Sequence, residues 1–285
     1  MDLSVITVSF NNQEHIGAQL RSVKSASKNL TVEQIVVDNA SQDKTVDLVS
    51  EFSDVKLIKN STNLGFAVAN NLALKKATGD YILFLNPDME IFETDILVKM
   101  LEYIKNHPQI GILTCRLTDQ NGRTNLGAGP RRFPRVLDQI LVILKLPHLF
   151  KNILNKYYYA DLDQNNPQAV DSARGAFMLV RRELLDKLGR AFDERFFVWF
   201  EDVDLCRSVW QLGYEVVYHP AFVCVDWVGR SFAQIPPYQK QKQFLNSQLK
   251  YFKKWEPIYK WFWLWLLSPI GLVMVMIFKK NNQPL

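Results

Sequence analysis

Acidic and amide side chains cluster where apolar runs stop. "YILFL" (81–85) gives way to Asn86-Pro87-Asp88, "QIVV" to Asp38-Asn39-Ala40-Ser41, and the run beginning at Leu3 to Ser9-Phe10-Asn11-Asn12. A carboxylate at the tip of a buried strand can ligate a hard divalent cation or accept a hydrogen bond from a ligand. Pro87 cannot continue a ladder, so pairing ends where Asp88 is delivered. A second acidic group, Glu201, Asp202 and Asp204 in "FEDVDLC", opens an amphipathic stretch that closes at Gly213. Neighbouring carboxylates suit general-base chemistry, one taking a proton while another orients it or holds the reactant. The same acids also suit a plain helix start, with Asp202 as N-cap and the others favoured by the helix dipole. Capping and catalysis are compatible, because a helix start is a rigid mount.

The elements that must carry these residues alternate. Strand-like runs at 3–10, 34–41, 55–61, 81–85 and 110–115 are separated by helix-like stretches at about 14–27, 44–52, 65–77 and 93–106. That rhythm predicts βαβ units and a parallel sheet buried on both faces, with ligands beyond the carboxyl ends of the strands. After Arg116 the alternation stops. "TDQNGRTN" predicts a hairpin turn at Asn121-Gly122. Residues 130–168 carry no pattern and suggest a functional insertion or lid. Residues 170–185 return to strand and then helix, and "EVVYHPAFVCVDW" supplies one or two last strands. The division expected is a catalytic domain at 1–235, its nucleotide-binding half at 1–115 and its acceptor half at 116–235, followed by a tail at 236–285.

Composition narrows the classes. The chain has 285 residues, 48% hydrophobic and 22% charged, which specifies a real core. Cys115, Cys206 and Cys224 are far apart, which argues against structural zinc and a disulfide framework and for a reducing compartment. No basic region precedes the first apolar run, so a signal peptide is not expected. There is neither G-x-G-x-x-G after the first strand nor G-x-x-x-x-G-K-[ST], which weakens dinucleotide and P-loop readings. A nucleotidyltransferase would want a basic, Gly-rich loop where "SFNNQEH" stands.

Taken in order, "VSFNN", "VVDNASQD", "NLGFAVANN", "FLNPDMEI", "RGAFMLVRR" and "FFVWFEDVDLCRSVWQLGY" resemble family 2 glycosyltransferases of the GT-A fold. Within that family the likeness is greatest to the rhamnosyltransferase-like branch, and it covers about residues 3–231. It implies an α/β, Rossmann-like, mixed but mostly parallel sheet flanked by helices. It places Ser9, Asn11, Asn63 and Gly65 along the nucleotide, and Asp38 as acceptor for the N3–H of uracil or thymine. Asn70 and Asn71 follow on the same helix. Asp88 matches the metal-binding end of the D-x-D motif, written here Asn86-Pro87-Asp88, and would hold Mg²⁺ or Mn²⁺. Asp202 matches the catalytic base, with Glu201 and Asp204 beside it. Arg174 and Gly175 match the segment lining donor sugar and acceptor. Asn86 departs from the pattern, since it replaces the first acid. So does Asp226, at the place of an expected histidine and able to ligate the same metal. His219 is its rival. Trp199 and Trp227 are candidates for stacking on sugar or for the core.

The resemblance implies an inverting, metal-dependent transferase using a dTDP- or UDP-sugar, and the tail suggests where it works. Six lysines lie between Tyr238 and Lys260, and "WFWLWLLSPIGLVMVMIF" (261–278) carries no charge. Tryptophan-rich entry and basic flanks favour a membrane surface. Ser268-Pro269 and Gly271 are expected to break the middle of that helix, giving a kinked or shallow insertion. The partners expected are a lipid-linked or polysaccharide acceptor and the cytoplasmic face of the cell membrane, in cell-surface polysaccharide synthesis, with no nucleic acid. The other class open to the sequence is a degraded nucleotide-sugar-binding or scaffolding protein, given Asn86 and Asp226.

Overall fold

The computed structural model describes residues 1–144, 146, 155–227 and 236–277. The strands are β1 (Leu3–Ser9), β2 (Val32–Asp38), β3 (Val55–Lys59), β4 (Tyr81–Leu85), β5 (Met89–Glu90), β6 (Ile110–Thr118), β7 (Gln168–Ala169), β8 (Phe177–Arg181) and β9 (Glu215–Asp226). They form one sheet in the order β3-β2-β1-β4-β8-β6-β9-β5, with β7 pairing β9. β1 to β4 are parallel to their neighbours within that group, as the βαβ rhythm predicts. β8 enters antiparallel between β4 and β6, so the second half is mixed. The helices are α1 (Ile16–Ala26), α2 (Thr45–Ser50), α3 (Phe66–Leu74), α4 (Ile96–Asn106), α5 (Val136–Ile143), α6 (Arg182–Leu188), α7 (Glu201–Gln211), α8 (Pro237–Trp255) and α9 (Ile258–Ile277).

Strand alternation divides the core between the two faces of the sheet. Tyr81, Leu83 and Leu85 meet the Ile96, Leu97, Met100, Leu101 and Ile104 stripe of α4. Ile82 and Phe84 face the alanines of α3 and Leu205, Cys206 and Val209 of α7. Each such large side chain contributes about 1.5–3 kcal/mol on burial. At the amino-terminal edge of the sheet, Glu33 accepts hydrogen bonds from Ser4 Oγ (2.6 Å), Lys56 Nζ (2.6 Å) and the Thr78 backbone N–H (2.6 Å). Burial alone would raise its pKa. These donors outweigh burial and lower it to about 2.

Asn121-Gly122 does turn the chain, with Gly122 N–H donating to Asp119 O at 3.0 Å, but only the single bridge Thr118–Thr124 extends it. β9 is one long strand with a register irregularity between His219 and Val223, where Pro220 cannot donate. α9 runs through Pro269 without the expected break, and Ser268 Oγ donates to Leu264 O at 2.6 Å within it. A third apolar cluster joins the insertion to the tail: Ile143 of α5, Phe196, Phe200, Val203, Leu245, Tyr251, Phe252 and Leu264. α8 is thus docked on the segment that leads into α7. Ser247 Oγ donates to Val198 O (2.8 Å) and Lys250 Nζ to Arg195 O (2.6 Å).

Candidate active site

Register alone brings the first polar pair together. Ser9 of β1 lies opposite Asp38 of β2, and Asp38 opposite Lys59 of β3, so the carboxyl ends of the strands are level. Ser9 Oγ donates to Asp38 Oδ1 at 3.2 Å and Ser41 Oγ to the same oxygen at 2.5 Å. The Ser41 N–H donates to Oδ2 at 2.9 Å, so Asp38 is only 2% exposed. A ligand N–H can still use the remaining lone pair of Oδ2. Ser41, which the sequence places at the same strand end, holds the carboxylate through the side-chain-to-backbone turn that its spacing three after an aspartate signals. Asn11 adopts a left-handed φ of 55°. It ties the two loops, with its N–H donating to Ser41 Oγ (2.9 Å) and its Oδ1 accepting from Gln42 N–H (2.8 Å).

Asn63 and Gly65 shape the entry to α3. Asn63 Oδ1 accepts the Gly65 N–H at 2.9 Å. Gly65 has φ 83°, and a Cβ there would lie 2.5 Å from the Phe197 carbonyl oxygen. Only glycine allows this loop to meet the strand of chain that leads into α7. Asn70 and Asn71 are braces. Asn70 Nδ2 donates to Phe66 O, while Asn71 spans to the 191–194 segment through Ala191 N–H, Phe192 N–H and Phe192 O.

The second group of residues converges from three elements. Asn86 N–H donates to Ala176 O at 2.9 Å, which pins the Asn86-Pro87-Asp88 turn beside β8. Asp226 is the register partner of Met89, and Trp227 N–H donates to Asp88 O at 3.0 Å. Asp88 and Asp226 therefore sit together at the end of the β5–β9 ladder, each 7% exposed. Arg174 lies among the acids. Burial and the neighbouring Arg131 guanidinium lower its pKa, while the charges of Asp202, Asp226 and Asp88 all oppose them. The Gly175 N–H donates to Asp202 Oδ2 at 3.1 Å. Asp202, Asp88 and Asp226 thus lie within electrostatic reach of Arg174. Arg131, from the patternless insertion, also acts on Asp202 electrostatically and had no local signal.

The acids of α7 have distinct surroundings. Phe200, not Asp202, is the N-cap, and Asp202 Oδ1 accepts the Val203 N–H at 2.8 Å. Trp199 and Phe200 are both left-handed, with φ of 67° and 68°, an arrangement that costs of order 1–3 kcal/mol per residue and marks a site held by its surroundings. Glu201 is buried, and its Oε2 has no hydrogen-bond partner among the described residues. Burial first, and then the Asp202 charge, push its carboxyl up to about 8. At neutral pH Glu201 is a neutral acid, which makes it the poorer base of the two. Asp204 faces away, its Oδ2 accepting from Lys254 Nζ (2.7 Å) and its Oδ1 from Trp255 Nε1 (2.7 Å). These tail residues were also not foreseen, since nothing near Lys254 in sequence points to Asp204.

His219 lies elsewhere. It pairs with Cys115 and packs on Phe222 (4.2 Å between rings) and Tyr103 (4.6 Å), and burial lowers its pKa. Trp199 packs edge-on against Phe244 in the tail cluster. Trp227 stacks near His15 and donates to Glu90 Oε2 at 2.9 Å. The three cysteines are buried and free. No group of three His, Cys, Asp or Glu capable of holding a metal occurs among the described residues. The paired carboxylates of Asp88 and Asp226 fit a hard cation whose remaining ligands are phosphate oxygens and water.

A parallel nucleotide-type half joined to a mixed half, with acids at the strand ends and a carboxylate-bearing helix facing them, defines a GT-A glycosyltransferase. The whole chain overlays the mannosyltransferase PcManGT from Pyrobaculum calidifontis, solved with GDP-Man and Mn²⁺. The TM-score is 0.60 at 20% identity, covering 99% of this chain and 76% of that one. Residues 4–189 match the Glycosyl transferase family 2, and the chain belongs to that family. It is 27% identical over 238 residues to rhamnosyltransferase WbbL of Escherichia coli K12, covering 80% of this chain and 85% of the relative. It is 25% identical over 231 residues to the N-acetylglucosaminyl-diphospho-decaprenol L-rhamnosyltransferase of Mycobacterium tuberculosis, covering 77% and 74%.

Proposed function

We propose that this glycosyltransferase moves a sugar, rhamnose first among candidates, from a dTDP- or UDP-linked donor to a hydroxyl of a lipid-linked glycan acceptor, with inversion. The observation that carries this reading is the gathering of Asp202, Asp88 and Asp226 about Arg174, next to Gly175, whose N–H holds Asp202. Asp38 accepts the N3–H of the base, and Ser9 and Ser41 hold its carboxylate for that purpose. Asp202 takes the proton of the acceptor hydroxyl as its oxygen attacks C1 of the donor, and the nucleoside diphosphate departs from the opposite face. The N–H of Gly175 keeps the Asp202 carboxylate aimed. Arg174 supplies fixed positive charge where the diphosphate leaves. Asp88 and Asp226 would hold Mg²⁺ or Mn²⁺. When bound, that ion neutralises charge on the leaving diphosphate.

The acceptor assignment draws on the relative that acts on a diphospho-decaprenol substrate and on α9. Among the described residues α9 supplies the one helix long and apolar enough to cross a membrane. Its exposed Ile258, Tyr259, Phe262, Trp263 and Trp265 would settle at the cytoplasmic face of the membrane. Because α8 is docked on the catalytic half, the tail segment that serves as anchor is α9, and truncation after Glu256 should release the protein from membranes.

The test is thermal unfolding with dTDP, UDP and GDP, each with and without Mn²⁺. A nucleotide at about a hundred times its Kd adds about 2.7 kcal/mol. Metal-dependent stabilisation by dTDP or UDP, lost in Asp38→Ala and Asp88→Ala, supports the reading. Absence of stabilisation by every nucleotide in the folded protein overturns it.

A further inference from the structure

A cleft of about 540 Å³ opens between residues 132–136 and the junction of α8 with α9. Four cations line it, Arg132, Arg135, Arg207 and Lys260, against two acids, Asp171 and Glu256. Both acids are engaged. Asp171 accepts the Phe133 N–H (2.7 Å) and the Tyr159 hydroxyl (2.9 Å), while Glu256 lies between Arg207 (3.3 Å) and Lys260 (2.7 Å). Arg132 is also paired with Asp161 Oδ2 at 2.8 Å, and the net positive charge that remains suits an anionic ligand. Arg207 is the preorganised member. Its guanidinium sits 4.8 Å from the Trp255 ring and 5.7 Å from Phe133, and donates to the Tyr251 hydroxyl at 3.1 Å.

Two placements identify the anion. Lys260 stands in the first turn of α9, so the cleft opens where the exposed apolar helix begins. Arg207 follows Asp202 on α7 by five residues, about 7.5 Å of rise but about 140° around the axis, so the tie between them runs through the helix and not along one face. A second tie connects the cleft to the surroundings of Asp202: Arg131 and Ser172 exchange both backbone hydrogen bonds (3.0 Å each), between Phe133 on one side and Gly175 on the other.

We infer that this cleft holds the diphosphate of a prenyl-type lipid acceptor, with the chain leaving along α9 and the first sugar reaching back to Asp202. The inference rests on the lipid-linked acceptor proposed above. A phosphate-bearing membrane lipid offers related chemistry, and the experiment separates the two. Full-length protein in detergent is titrated with geranylgeranyl diphosphate, and its binding to phosphatidylglycerol vesicles is measured in parallel. The variant is Arg135→Ala with Lys260→Ala, two exposed side chains outside the apolar clusters. Loss of two charge-assisted contacts should weaken geranylgeranyl diphosphate about tenfold or more. Inorganic diphosphate should compete, geranylgeraniol should not, and vesicle binding should weaken clearly less than geranylgeranyl diphosphate binding, since Lys260 is one of the six lysines of residues 238–260.

Equal affinity of the two proteins for geranylgeranyl diphosphate overturns the assignment. So does a matching loss of vesicle binding, which would make the cleft a general anionic-lipid contact. Nucleotide stabilisation, read on the same samples, reports separately on the transferase reading. If dTDP or UDP stabilises both proteins while geranylgeranyl diphosphate ignores the substitutions, only the cleft assignment falls. If no nucleotide stabilises either protein but the lipid diphosphate is lost in the variant, the transferase reading falls and the cleft stands.

Discussion

The two halves of the sheet hold their acidic side chains by different means. Asp38 is fixed by neighbours one register step or three residues away, Ser9 and Ser41. Asp204, by contrast, is fixed by Lys254 and Trp255, 50 and 51 residues distant. Glu201 and Asp202 ride on two consecutive left-handed residues whose ring packing is completed by α8. The proposed donor side is therefore built from local pairing, and the proposed acceptor side from long-range docking with the tail.

The sharpest way to separate the halves is Asp202→Asn. Removing a general base should lower transfer by about a hundredfold to ten-thousandfold. Nucleotide stabilisation, a donor-side property, should stay as it is. A variant that loses both together would erase the distinction between the halves. Steady-state transfer assays beside thermal shifts with dTDP and UDP measure it.

Next in size is Lys254→Ala. Lys254 bridges Asp204 (2.7 Å) and Asp193 (3.1 Å), both nearly buried. Asp193 keeps Arg195 and Asp204 keeps the Trp255 Nε1 hydrogen bond, so the loss is that of charge-assisted hydrogen bonds, about 1.5–3 kcal/mol. The denaturation midpoint should fall accordingly, and transfer should drop more than nucleotide affinity does. If nucleotide affinity falls equally, the tail supports both halves and the comparison fails.

The contrast also decides what could be read from the sequence. β4 was legible to the residue, because "YILFL" is apolar on both faces and Pro87 ends it. The Ser9–Asp38 juxtaposition followed from strand ends that parallel pairing keeps level. Asp88 and Asp226 meet because β9 runs on past a bulge at Pro220 to pair with β5, a path no local pattern announces. Likewise Arg131 and Lys254 lie in stretches whose periodicity says only insertion or basic helix, and Arg207 lies past the acids that mark its helix. Their roles come from tertiary docking, which reaches across the chain and leaves no mark at short spacing. His219 illustrates the reverse. A histidine at a plausible distance from the motif proved to be a ring among Tyr103 and Phe222.

A smaller effect is expected at Ser41→Ala. It removes one of two hydroxyls on Asp38 Oδ1, and a hydrogen bond to a charged group is worth about 1.5–3 kcal/mol. Part of that should appear as weaker stabilisation by dTDP and UDP, because Asp38 is less well aimed. Transfer under saturating donor should hardly change. Isothermal titration with the nucleotide, compared with kcat at saturating donor, reads the split.

The smallest change at mildly acid pH, and the most diagnostic in its slope, is Glu201→Gln. Gln is close in shape to the protonated acid, so at about pH 5 stability should shift by no more than about 1 kcal/mol. The sign at higher pH follows from the folded carboxyl titrating at about 8 against an ordinary value of 4.5. Below 4.5 both states carry the proton and stability is complete. Between 4.5 and 8 the unfolded chain releases it and the folded chain keeps it, so stability falls as pH rises through that window. His219 works the other way near neutrality, since burial lowers its pKa and the unfolded chain binds the proton more readily. Wild-type stability alone therefore mixes the two, and the difference between wild type and Glu201→Gln isolates Glu201. That difference should grow in favour of the variant from pH 5 to pH 8 and level off above it. A flat difference would mean that Glu201 is ionised in the folded protein. The acceptor side would then carry an additional buried negative charge beside Asp202, and its division of labour between a neutral acid and a base would have to be abandoned.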